Sequence, residues 1–172
     1  MDNLRVKPQD VAAAFKWFRA KEKSLAKGDR QFVLHKRPNI GQLYLFRYDP
    51  KFKDVLPWYD AAPIVFPFQL KGNGFIGLNM HYLPPVLRMK LFEALEKKTT
   101  GKNERKKVEL SYQILQGASS LKLFEPTVHR YLFSHLQTGL GRIPTDEWKT
   151  AIKLPLADFR KKSASTVWKN SV

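Results

Sequence analysis

The sequence predicts an α+β fold, a small curved antiparallel sheet (SH3-like or a small barrel) with flanking helices and basic arms. Two observations carry this. Short runs rich in β-branched and aromatic residues crowd between residues 31 and 80, broken by Pro- and Gly-bearing turns. On either side of them, apolar residues recur at helical spacing. The length of 172 residues fits one domain spanning 1–172.

Residues 9–27 read as an amphipathic helix. Val11, Phe15 and Phe18 recur on one stripe that Leu25 continues, Lys16, Lys23 and Lys27 lie off it, and Gly28-Asp29 ends it. Such a stripe docks on the core or swaps onto a neighbouring subunit, so an oligomer is within reach. Residues 31–36 and 42–48 are strands. Along the second, Tyr44, Phe46 and Tyr48 share one face and Leu43, Leu45 and Arg47 the other; two largely apolar faces predict a central strand. Asp49-Pro50 opens a turn, and 56–60 (Leu-Pro-Trp-Tyr-Asp) is a packed loop. Residues 63–70 form a strand with Pro at an edge or bulge, and 75–80 return from Gly72-Asn73-Gly74 as the second arm of a hairpin.

Pro84-Pro85 opens a helix with Leu87, Leu91 and Leu95 on one face, ending near Lys97-Lys98. Residues 99–107 read as a mobile basic loop. Residues 109–117 are a short helix, and Pro126 starts another that runs to about Gln137, with Val128, Leu132 and His135 on one face. Residues 147–154 alternate, with Trp148, Thr150, Ile152 and Leu154 facing one way, which predicts a half-buried strand joining the sheet late. The segment 156–172 is a basic C-terminal arm, extended or carrying a short helix.

Charge is the dominant compositional signal. Thirty-one Lys+Arg against 15 Asp+Glu give a formal charge of +16, while 13% aromatic residues supply a core that a disordered basic tail would lack. The self-repulsion this causes is most simply relieved by an anionic partner. The excess is spread. Residues 1–30 hold 8 Lys/Arg against 4 acids, 88–107 hold 8 against 3, and 142–172 hold 7 against 3. Dispersed charge suits phosphate-backbone contact. No helix-turn-helix, C₂H₂ finger, RRM signature or KH loop is present to read bases. The expected partner is nucleic acid, most simply duplex DNA bound without sequence preference. Lys102, Arg105, Lys106, Lys107, Arg160, Lys161 and Lys162 are the candidate phosphate contacts. Aromatic residues near these lysines read as core rather than as stacking platforms for single strands.

Catalytic chemistry finds little support. The absence of cysteine removes thiolate nucleophiles, disulfides and Cys-based zinc sites. His35, His81, His129 and His135 have no metal-ligand spacing and read as packed or surface imidazoles. Gly72-x-Gly74-x-x-Gly77 has dinucleotide-loop spacing but falls inside a hairpin, where its glycines serve the turn and close backbone packing. A metal-dependent nuclease would need clustered carboxylates; Asp146 and Glu147-x-Lys149 are the nearest fragment. The expectation is a non-enzymatic chain without metal or cofactor. Residues 1–10 lack the apolar run of a secretory signal. The longest apolar stretch, 61–68, is interrupted by Pro63 and Pro67 and is too short for a bilayer, so no membrane partner is expected.

Three stretches, LYLFRYDPKFKDVLPWYDAAPIVFPF (43–68), GFIGLNMHYLPPVLRMKLFEAL (74–95) and EWKTAIKLPLADFRKKSASTVWKNS (147–171), resemble small basic proteins of large T4-like tailed bacteriophages. The resemblance brings no catalytic motif. It implies a DNA-handling factor or a DNA-facing virion component, located in the host cytoplasm or the virion. The alternative it allows is a structural connector of the neck, tail or baseplate, whose Pro-rich aromatic loop at 56–68 and arms at both ends would bind virion proteins.

Overall fold

A computed structural model describes residues 13, 16, 19, 20, 23, 27, 34–153 and 157–170. In chain order the strands are β1 (Leu34–His35), β2 (Leu43–Leu45), β3 (Tyr59–Asp60), β4 (Ile64–Lys71), β5 (Gly74–Asn79), β6 (Val128–Leu132), β7 (Leu140–Ile143) and β8 (Phe159–Arg160). The helices are α1 (Pro85–Thr99), α2 (Glu104–Ser119), α3 (Trp148–Lys153) and α4 (Ala164–Lys169). Six strands form an antiparallel sheet in the order β1-β7-β2-β4-β5-β6, and β3 pairs with β8 in a separate ribbon. The fold is α+β as predicted, but the sheet is open, with β1 and β6 as its edges, so the barrel expectation is corrected.

β2 is central, and its alternation builds two cores. Leu43 and Leu45 face the helices together with Ile64, Phe66, Leu78 and Ile143. The helices answer with Leu91, Leu95, Leu115 and Trp148. On the opposite face Tyr44, Phe46, Tyr48, Phe75 and Tyr131 form an aromatic layer, with Phe46 and Tyr131 edge to face at 5.2 Å. The β4–β5 hairpin turns on Gly72-Asn73, with Gly72 at φ 56°, the pattern of a II′ turn. Its register shifts between Pro67 and Gln69, a bulge where proline costs no ladder bond. A Cβ on Gly74 would overlap the Tyr131 carbonyl and one on Gly77 the Val65 side chain, so both glycines are set by close packing.

Several expected elements change. The helix expected over 126–137 is a 3₁₀ segment (Lys122–Thr127) followed by β6, with Tyr131 in the aromatic layer. Pairing with β5 selects period two, to which the Val128–Leu132 spacing conforms as well as it does to a helix. The reverse holds over 147–153, the described part of the strand expected at 147–154. Trp148, Ala151 and Ile152 are all buried at i, i+3 and i+4, so the segment is a 3₁₀ turn and α3 rather than a strand. The strand that joins the sheet late is β7, inserted between β1 and β2. The basic loop 99–107 is mostly helical, because Asn103 Oδ1 accepts from Lys106 N at 3.0 Å and caps α2 from residue 104. Strand 42–48 is regular only over 43–45, with Tyr48 rejoining through a bridge to Leu136. Over its described residues, 157–170, the C-terminal arm is folded down as β8 and α4, which buries Val167. Of residues 9–27, the described 13, 16, 19, 20, 23 and 27 are helical and exposed; the stripe Val11, Phe15, Phe18 and Leu25 lies outside the described residues. Among the described residues no helix is long and apolar enough to cross a membrane.

A buried polar cluster joins the sheet to the C-terminal segment. Asp60 Oδ2 accepts from Asn79 Nδ2 at 3.1 Å and meets His81 Nδ1 at 2.6 Å, while Asp60 Oδ1 accepts from Ala62 N at 3.1 Å. Arg88 is fully buried and donates to the carbonyls of Leu83 (2.6 Å) and His81 (3.0 Å). Trp168 Nε1 also donates to the His81 carbonyl, at 2.9 Å, and the Trp168 ring lies 5.4 Å from the Arg88 guanidinium. Burial lowers the Arg88 pKa to about 9, with Asp60 opposing, so it is charged at neutral pH. Burial alone would raise the Asp60 carboxyl, but the facing His81 and the hydrogen bonds from His81, Asn79 and Ala62 outweigh it and hold it below its ordinary value.

A depressed carboxyl stabilises the fold above its unfolded value, about 3.9. That contribution is lost as pH falls through the lower folded value. Asp60→Ala, which leaves the buried groups of Ala62, Asn79 and His81 without their shared partner, will cost about 3–5 kcal/mol in urea unfolding. Asp60→Asn will flatten the fall in stability below about pH 4 relative to the wild type. Gly77→Ala will cost about 1–3 kcal/mol by overpacking Val65, and Val65→Ala in the same chain will recover part of it.

Candidate nucleic-acid interface

The candidate phosphate contacts fall in two places. Lys102, Arg105, Lys106 and Lys107 lie where α1 hands over to α2, and Lys97 and Lys98 occupy the last turn of α1. Lys102 and Arg105 are exposed. Lys106 is exposed and pairs with Glu109 at 2.9 Å. The positive pole of the 16-residue α2 meets the negative pole of α1 here, so the charge of this group comes from its side chains. The tip of the α1–α2 hairpin is therefore a concentrated positive site built by two helix ends.

Arg160, Lys161 and Lys162 lie elsewhere, beside the loop that precedes β3. Arg160 Nη2 pairs with Asp158 at 3.0 Å, and Asp158 also meets Arg47 at 3.6 Å. Lys161 takes a left-handed backbone, φ 72°, and its Nζ donates to the carbonyls of Lys53 (2.6 Å), Asp54 (3.1 Å) and Leu56 (2.9 Å). Its ammonium holds the 50–56 turn together across more than a hundred residues of sequence. Lys162 is exposed. The two groups are not brought into one cluster: 160–162 brace the 50–60 loop, and 97–107 form the hairpin tip.

The braced loop forms one wall of a cleft of about 560 Å³. The opposite wall is the edge strand β6 with Tyr82 and Pro126. Tyr48 Oη accepts from Leu132 N at 3.1 Å, so one outward N–H of β6 is satisfied by an aromatic residue of the wall. Inside, Asp60 and Asn79 are buried. The Tyr82 and Tyr131 phenols are pushed up by burial first and by Asp60 among the nearby groups, so they stay neutral. His129 packs its ring 4.2 Å from that of Tyr82 and donates from Nε2 to the Pro126 carbonyl at 2.8 Å. Burial depresses its pKa against the opposing effects of that bond and Asp60, which keeps it uncharged at neutral pH. At the mouth, Phe52 is 61% exposed, Lys51 Nζ lies 5.3 Å from its ring, and Arg130 Nη2 donates to Asn73 Oδ1 at 3.1 Å. The cleft thus offers neutral aromatic surface within and positive charge at its rim.

Sequence reasoning read 56–60 as a packed loop and the aromatics as core, and it passed over this cleft. The residues lining it come from 48–60, Asn79, Tyr82, 126–132 and Asn170, and only the fold assembles them. Lys51-Phe52 beside Pro50 was the available local signal, a cation next to an aromatic residue in a solvated turn. Asp146 is exposed and Glu147 half-buried in the 3₁₀ turn Thr145–Glu147. Among the described residues no group of three or more His, Asp or Glu converges in a way that could hold a metal ion.

No curated protein and no solved structure matches this chain. A family model described as the Phage T4 terminal DNA protecting protein matches residues 3–171, in keeping with the resemblance to T4-like phage proteins. The match covers nearly the whole chain, which belongs to that family.

Proposed function

We propose that the chain binds the ends of phage duplex DNA in the infected host cell, through phosphates and without sequence preference. By occupying a terminus it shields the last nucleotides from end-directed degradation, and it does so without catalysis. The observation that carries this reading is the family description, which names terminal DNA as what is protected. The chain's own physical properties support it. A formal charge of +16 on a folded, aromatic-rich chain provides a field that gathers DNA from a distance. The hairpin tip then provides local phosphate contacts, with Lys102 and Arg105 exposed beside a helix N-terminus. Neither element reads bases, which fits a ligand defined by being an end rather than by its sequence.

In competition binding, linear duplex will displace a labelled duplex end at lower nucleotide concentration than closed circular duplex of the same sequence. Affinity will be independent of the terminal base pairs. Incubation with the protein will slow digestion of the linear DNA by an exonuclease and leave an endonuclease unaffected. Equal competition by linear and circular DNA would contradict the reading.

Removing the hairpin cations has a salt signature. Lys102→Ala with Arg105→Ala will weaken duplex binding, and the slope of log affinity against log salt will become shallower by roughly 0.9 for each phosphate that is no longer neutralised. Urea unfolding will be nearly unchanged, since both side chains are exposed.

A further inference from the structure

We infer that the cleft between the 50–60 loop and β6 receives an unpaired nucleotide at the DNA terminus. This inference rests on the end-binding reading and gives it a site. The base would stack on the aromatic surface at the mouth, where Phe52 and Trp58 line the cleft, and its phosphate would lie between Lys51 and Arg130.

Size, surface and charge point to the same occupant. A volume of about 560 Å³ falls within the roughly 300–1,000 Å³ of small-molecule sites, room for a nucleotide and far too little for a turn of duplex. The occupant must therefore be splayed from its partner strand. That costs least where the base is already unpaired, as in an overhang or a frayed end. Phe52 is left 61% in water at the mouth, with Lys51 Nζ 5.3 Å from its ring. An exposed ring beside a cation is the pairing that stacks bases while holding their backbone. The inner wall does not repel a nucleotide: its phenols and His129 are uncharged, and the single carboxylate, Asp60, is buried against His81. Apart from the buried Asp60, the charged residues that line the cleft are Lys51 and Arg130, which suits a phosphate better than the cations of a basic peptide. The loop that carries Lys51 and Phe52 is held in place by the three bonds from Lys161, so the surface is preformed.

The test uses the full chain and a duplex with a short single-stranded overhang carrying 2-aminopurine as its last base. A second duplex carries 2-aminopurine at an internal paired position. Binding should quench the terminal probe and leave the internal one unchanged. Phe52→Ala should weaken binding to the overhang about 5–150-fold, the range for removing one stacked base. It should bind closed circular duplex as the wild type does, and Phe52→Trp should restore the overhang affinity. Unaltered folding of Phe52→Ala is checked by its urea midpoint, which the exposure of the ring predicts to be unchanged. A terminal probe that stays bright on binding, or a Phe52→Ala chain that binds the overhang like the wild type, overturns the inference while leaving end binding intact. If the wild type shows no preference for ends, the end-binding reading fails separately. The same quench on a single-stranded oligonucleotide, abolished in Phe52→Ala, then still supports a nucleotide cleft, and its absence there overturns it.

Discussion

The buried carboxylate of Asp60 is the point on which this architecture closes. Three groups bind it, from Ala62, Asn79 and His81, and they come from the entry to β4, the end of β5 and the turn that leads to α1. The main chain of that turn then serves a second purpose. The His81 carbonyl accepts from Arg88 and from Trp168, so α1 and α4 are registered against the same residue. A low-dielectric site makes such bonds strong when all are formed and costly when one is missing. The cluster therefore does more than add stability. It fixes how the C-terminal segment lies on the sheet, and through β8 it fixes where the 50–60 loop can go.

Much of the fold was legible where the sequence offered only one periodicity. The two apolar faces of 43–48 required a strand covered on both sides, and Gly72-Asn73-Gly74 between two aliphatic runs required a hairpin. Elements were misread where one spacing satisfies two periods. Residues four apart share a face in a helix and also in a strand, so Val128 with Leu132 and Trp148 with Ile152 fit both. The deciding interactions are tertiary: pairing with β5 in the first case, and burial of Ala151 beside Trp148 in the second. No local rule separates them. The α2 start was legible in principle, since Asn103 precedes Glu104 and a long helical run, but the density of charge in 99–107 masked the cap.

The candidate site divides in the same way. Net charge is a sum over residues and survives any misassignment of structure, so the polyanion preference could be read before the fold was known. The use of each cation could not. Lys161 looks in sequence like its neighbours Arg160 and Lys162, yet its ammonium is directed at three main-chain carbonyls. The aromatic cleft is a property of the assembled edge of the sheet, and the fragments that line it are individually ordinary. Long-range charge and short-range geometry also act over different distances. Exposed cations act out to about 10 Å at 0.1 M salt, whereas stacking requires contact.

The bonds from Lys161 to the carbonyls of residues 53, 54 and 56 span 105 to 108 positions of sequence. During synthesis the 50–56 turn leaves the ribosome long before the side chain that braces it exists. At roughly 5–20 residues per second the turn waits about 5–20 seconds for its clamp. The hairpin tip, by contrast, is complete once residue 119 has emerged. A nascent chain would acquire its positive helical hairpin early and its cleft last, so the order of maturation is written into the spacing of the sequence.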